Sequence, residues 1–174
     1  MTDLPVDTAF ADDFLRRLHS AVNAHDPYAI AELCAENVIW DDPAAPQPLC
    51  GREAVRRFHE EIMFPALPDV QVELMDGPYL SAKGDGFAVR LRISGTMMGP
   101  LTPPGFAPTR GRLCFETAEF STLRDGLLSR HTVVLNMLDL ARQIGAVPEA
   151  GTFGAQLGLW MQHVSAFWER AKRN

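Results

Sequence analysis

Asp41, Asp42, Glu119, His131, Asn136 and Asp139 are the side chains here whose types suit proton transfer or the holding of a carbonyl group. Asp41 and Asp42 close a short apolar run in VIWDDPAAPQP. Alternate residues of an extended chain share a face, so Val38, Trp40 and Asp42 point one way and Ile39 and Asp41 the other. Asp42, with Trp40 beside it, is therefore the preferred acid. Asp-Asp-Pro is equally a turn former whose aspartates bond their own backbone. His131 carries the one side chain type whose ordinary pKa falls between pH 5 and 8, and it opens HTVVLNMLDLARQIG, residues 131–145. Within that stretch Asn136 places a neutral amide where an apolar strand gives way to a helix. An amide donates and accepts hydrogen bonds but takes up no proton near pH 7. Asn136 thus polarises a carbonyl, anchors a ligand, or caps the helix that starts at Met137. It lies five residues from His131, which sets the two on opposite faces of a regular strand.

Other chemistries lack their residues. There is no HExxH, no paired Cys/His ligand spacing, no GxSxG, no Walker loop and no GxGxxG after a strand. The expectation is no metal and no cofactor. Cys34, Cys50 and Cys114 are odd in number and without CxxC spacing, which suits reduced thiols. A net charge of −6 with dispersed Lys and Arg argues against nucleic acid or an anionic membrane as partner. A small apolar ligand fits better. No basic segment followed by an apolar run opens the sequence, and no apolar stretch reaches the roughly 18 residues that span a bilayer. A cytoplasmic protein is expected.

The elements that must position these residues can be read from periodicity. At 174 residues, 47% hydrophobic and 22% charged, the chain suits a single domain over 1–174. Asp7 or Thr8 caps a first helix with Phe10, Phe14, Leu15, Leu18 and Val22 on one face. Asp26 and Pro27 start a second, and Gly51 opens a third through GREAVRRFHEEIMF, ended by Pro65 and Pro68. Four strands follow at Val70–Met75, Gly86–Thr96, Gly111–Leu123 and Leu127–Asn136, joined in part by KGDG and RDG turns. Residues 97–111, MMGPLTPPGFAPTRG, are too long and too rich in Pro and Gly for a tight turn and are expected to fold over an opening. Leu157, Trp160, Val164 and Trp168 mark a last amphipathic helix in an extension over 150–172. The sum is an α+β domain, an antiparallel sheet covered on one face by helices.

Taken in order, NAHDPYAIAELCAENVIWDDP, GREAVRRF, GT before the two methionines, PTRGRLCFE, LRDGLLSRH and LARQIG resemble the SnoaL-like polyketide cyclases of the nuclear transport factor 2-like superfamily, over about residues 10–145. The resemblance implies a curved sheet and N-terminal helices forming a cone-shaped barrel around a deep pocket. It also implies no cofactor, and a homodimer formed through the sheet. Its chemistry is cyclase or isomerase acid/base catalysis on an apolar, carbonyl-bearing small molecule. A noncatalytic small-molecule-binding protein of the same fold is the alternative. In the cyclases the acid/base is an acidic residue on the last strand, and the matching position here is Asn136, a departure that removes the base from that place. A second departure puts Met97 and Met98 where family members carry a polar or basic side chain. The catalytic candidates are Asp42, His131 and Asn136, and the candidate substrate contacts are Trp40, Met97, Met98, Thr132 and Val134. Arg90 and Arg92 alternate with apolar residues and are expected on the outer face of the sheet.

Overall fold

Asp7 caps the first helix through its carboxylate, which accepts the Phe10 N–H at 2.8 Å, and α1 runs Thr8–Asn23. Asp26 caps α2, Pro27–Glu32, by accepting from Tyr28 and Ala29. The computed structural model describes residues 5–101, 105–148 and 151–172. After α2 come β1 (Cys34–Asp41), the two-residue β2 (Leu49–Cys50) and α3 (Arg52–Phe58). Gly51 enters α3 at φ 91°, a backbone region that favours glycine. The helix then widens into a π-helical turn, His59–Met63, and closes with α4, Phe64–Ala66. The third helix expected from the sequence is thus present but widened from His59, and it runs past Pro65 to Ala66.

The sheet has β3 (Gln71–Leu80), β4 (Gly86–Thr96), β5 (Arg112–Arg124) and β6 (Leu127–Leu135), in the order β2-β1-β6-β5-β4-β3. It stays open, and it is not antiparallel throughout, because β1 runs parallel to β6. That pairing corrects the expected all-antiparallel sheet. Register shifts in the β1–β6, β3–β4 and β5–β6 pairs bend it, as an extra residue in one strand does. Asp125 and Gly126 turn β5 into β6 at φ 52° and 77°, the two positive values that a tight hairpin of matching twist requires. Gly86 admits β5 closely: a Cβ there would lie 2.0 Å from the Ser121 carbonyl oxygen.

The helices cover the concave face. Phe14, Leu15 and Leu18 of α1 join Val38, Trp40, Phe87, Val89 and Leu91 in one core cluster, and Leu67, Val70, Met97, Leu113 and Ile144 form a second. Arg90 and Arg92 lie on the outer face beside Glu73 and Glu116. Helices α5 (Met137–Gln143) and α6 (Phe153–Lys172) follow the sheet. The predicted α6 helix is present, yet its apolar side faces solvent, with Trp160 63% exposed. No described helix is long and apolar enough to cross a membrane.

Asn23 ties α1 to the edge strand. Its side-chain nitrogen donates to the Val72 carbonyl at 3.1 Å and its oxygen accepts the Val72 N–H at 2.7 Å, as a neighbouring strand would. Asn23→Ala leaves both Val72 groups without that partner and should lower stability by about 1–3 kcal/mol in denaturant melts.

Candidate active site: a polar end in an apolar pocket

One pocket opens between the helices and the sheet, with a volume of about 120 Å³. Most of its wall is hydrocarbon from Val72, Leu91, Ile93, Leu113, Phe115, Val133, Leu135, Leu140 and Ile144. Leu101 and Phe106, bridged to each other, bring the 97–111 segment into the wall; residues 102–104 lie outside the described residues. The polar lining comes from His19, Trp40, Asp42, His59, Thr117 and Glu119.

Strand register assembles this polar end. Along β5 the inward residues are Leu113, Thr117, Glu119, Ser121 and Leu123, so three polar side chains occupy the middle of an otherwise apolar row. The β5–β6 pairing sets Ser121 opposite His131, and the parallel β1–β6 pairing sets Trp40 beside His131. His131 is 1% exposed, its ring centroid 4.1 Å from that of Trp40. Its Nδ1 lies 3.1 Å from Ser121 Oγ and its Nε2 3.2 Å from Glu119 Oε2. The Nε2 contact is close but falls short of regular hydrogen-bond geometry. Thr117 Oγ1 donates to Glu119 Oε1 at 3.1 Å.

Two carboxyls with opposite character face this space. Burial acts to raise Glu119, but the hydrogen-bonding and charge of His131, helped by Thr117 and His19, outweigh it and hold Glu119 below the ordinary carboxylate range. Burial pushes Asp42 upward, reinforced by the charge of Glu119; the Ala44 N–H, Trp40 and His131 oppose that rise without cancelling it. Asp42 retains some solvent contact while being densely surrounded by protein. Its Oδ1 accepts the Ala44 N–H at 2.8 Å, the turn expected of Asp-Asp-Pro, and the same residue lines the pocket.

The other sequence candidates lie apart from this end. Asn136 is exposed and caps α5, its Oδ1 accepting the Asp139 N–H at 3.2 Å. Thr132 and Val134 fall on the opposite face of β6 from His131, with Val134 50% exposed, because alternation sends every second side chain outward. Met97 is fully buried in the second core cluster, and Met98 is 50% exposed. Trp40 lines the pocket beside Asp42. His19 and His59 were not read from the sequence as site residues. Their signal was positional: His19 sits four residues after Leu15 on the buried stripe of α1, and His59 four after Val55 on that of α3. Among the described residues no group of three or more His, Cys, Asp or Glu side chains is arranged to hold a metal ion.

A bent open sheet with helices over a deep pocket defines the nuclear transport factor 2-like fold. The chain belongs to the SnoaL-like domain family, whose pattern matches residues 15–131. No curated protein sequence matches it. Among solved structures it is similar to AclR of Streptomyces galilaeus, a candidate hydroxylase, at 21% identity and TM-score 0.67, over 95% of this chain and 98% of that one. It is similar to SalBIII, an epoxide hydrolase/cyclase-like enzyme of pyran ring formation in the polyether salinomycin, at 23% identity and TM-score 0.63, over 76% and 95%. A third is a protein of ketosteroid isomerase-like fold from Catenulispora acidiphila DSM 44928, in complex with trimethylamine, at 16% identity and TM-score 0.63, over 76% and 92%. At these identities the likeness is one of fold.

His59 supplies a pH dependence. Burial lowers its imidazole from 6.5 to about 4, while its Nδ1 meets the Val55 carbonyl at 2.8 Å. Between those values the unfolded chain binds a proton that the folded chain does not. This contribution is therefore complete above about pH 6.5 and is lost as pH falls toward 4, by about 3 kcal/mol. Denaturant melts of His59→Phe should show a correspondingly shallower fall across that window.

Proposed function

We propose that the pocket performs cofactor-free acid/base chemistry on an apolar, carbonyl-bearing small molecule, in the manner of a cyclase or isomerase. The observation that carries this reading is the pair of pocket carboxyls, Asp42 and Glu119, whose surroundings push their pKa values apart. A raised pKa makes Asp42 the stronger base when ionised, and it retains the proton it accepts for return. Asp42 removes a proton from the carbon beside the substrate carbonyl, leaving an enolate. Either Asp42 returns the proton to a different carbon of a conjugated enolate, or the enolate carbon attacks a second carbonyl, whose new oxygen takes the proton from Asp42. The buried Trp40 indole N–H, close enough to Asp42 to restrain its rise yet outside regular hydrogen-bond geometry, is the donor available to the enolate oxygen. His131 does not touch substrate in this scheme; it helps hold Glu119 ionised, and that charge adds to the burial that raises Asp42. Asn136 serves the entry to α5.

The binding-only reading has its own support, since Glu119, His131, Ser121 and Thr117 already satisfy one another. Exchange of α-hydrogens for deuterium on a panel of cyclic ketones, followed by NMR, separates the two. The enzyme should accelerate exchange over buffer, and Asp42→Asn should reduce that acceleration by about 10²–10⁴-fold. Ketone binding with no exchange above buffer would favour the noncatalytic reading.

Assembly completes the proposal. The outer face of the sheet exposes Phe120 of β5 and Val134 of β6 on the same sheet as the arginine and glutamate pairs of β3, β4 and β5, a mixed surface suited to a second copy. Sedimentation should show a homodimer; a monomer at micromolar concentration contradicts it.

A further inference from the structure

Among the described residues the pocket lining has carboxyls at its polar end but no Lys or Arg: Asp42 and Glu119 contribute to it. Its two histidines do not redress the balance at neutral pH. His59 is held neutral, burial having lowered it to about 4, and burial also lowers His19, whose Nε2 is enclosed without a hydrogen-bond partner. Behind the wall, His131 is engaged with Glu119 and Ser121, and His25 sets its ring on Phe64 with Nε2 3.2 Å from the Val70 carbonyl oxygen. Of these two, His131 is the imidazole in contact with a pocket carboxyl. Burial first, and then the charge of Glu119, disfavour the ionised form of Asp42, and the Ala44 N–H that its Oδ1 accepts at 2.8 Å does not cancel them.

We propose that this pocket is built for a hydrophobic molecule bearing a protonated amine, whose ammonium group sits at the Asp42 and Glu119 end against the Trp40 ring. The proposal rests on the pocket being a small-molecule site, as in the function proposed above, and on no proton-transfer step to substrate carbon. The ligand's positive charge favours the ionised Asp42 carboxyl, so that whatever proton burial retains there passes to solvent as the carboxylate pairs with the ammonium. Trp40, Phe64 and Phe115 add aromatic surface to the lining, and a ring face turned to the ligand attracts a cation. Leu91, Ile93 and Leu113 take the hydrocarbon part. A carboxylate or phosphate of similar size meets two acidic groups and no cation, and is rejected.

Three probes of one shape class test this: protonated N,N-dimethylbenzylamine, the neutral ketone phenylacetone, and the anion phenylacetate. Titration calorimetry of the wild-type protein near pH 6 should rank the ammonium at least about tenfold tighter than the ketone, with phenylacetate weakest. Heats measured in buffers of different ionisation enthalpy should reveal proton release on binding the ammonium and none on binding the ketone. In Asp42→Asn, checked by its melting curve, the proton release should vanish and the ammonium and ketone affinities should converge. Ketone affinity equal to or above that of the ammonium in the wild type, or binding of the ammonium without proton release, would overturn the proposal. The exchange assay stands apart: α-hydrogen exchange without ammonium preference sinks this inference alone, and ammonium preference without exchange sinks the catalytic reading alone.

Discussion

A carboxylate in the middle of a sheet, facing a hydrocarbon pocket, must be compensated or the domain is destabilised, and Glu119 is that carboxylate. Removing one partner of such a buried pair typically costs about 3–5 kcal/mol, a large part of an ordinary domain's stability. The surrounding structure is arranged around this requirement. Beta6 presents His131 within 3.2 Å, β5 supplies Thr117 and Ser121, and β1 lays the Trp40 ring over the imidazole. The parallel β1–β6 pairing is the element that makes this possible, because it carries Trp40 and then Asp42 to the same end of the pocket.

The consequence runs outward from that pair. Burial, reinforced by the charge of Glu119, holds Asp42 away from ionisation, and one small space contains a carboxyl that gives protons up easily beside one that keeps them. Hydrocarbon walls sharpen the difference, because charges interact more strongly where water is excluded. Gly86 belongs to the same arrangement at one remove. Its missing side chain lets β4 approach Ser121, the residue that meets the far side of His131.

Much of this was legible in the sequence where local chemistry decides. Caps at Asp7 and Asp26, the Asp125-Gly126 hairpin and the period-two strands depend on neighbouring residues, and they formed where those residues stand. Asp42 and Trp40 were placed together by alternation along one strand. What escaped depends on partners distant in the chain. The parallel register of β1 on β6 has no local signature, and two-residue β2 is too short for one. His19 and His59 carried a readable position on buried helical faces, but their convergence near Glu119 follows only from how α1 and α3 dock on the sheet. Asn136 drew attention through the family's acidic position, whereas its own neighbourhood makes it a helix cap.

The account turns on the ordering of two carboxyl groups, which carbon-13 NMR of side-chain carboxyls can measure directly. Protein labelled at Asp and Glu, with Asp42→Asn and Glu119→Gln to assign the resonances, would be titrated through the acid range. Glu119 should remain ionised below the pH at which exposed glutamates protonate, and Asp42 should hold its proton above the range of exposed aspartates. Asp42 losing its proton before Glu119, or both following the exposed carboxylates, would contradict the account.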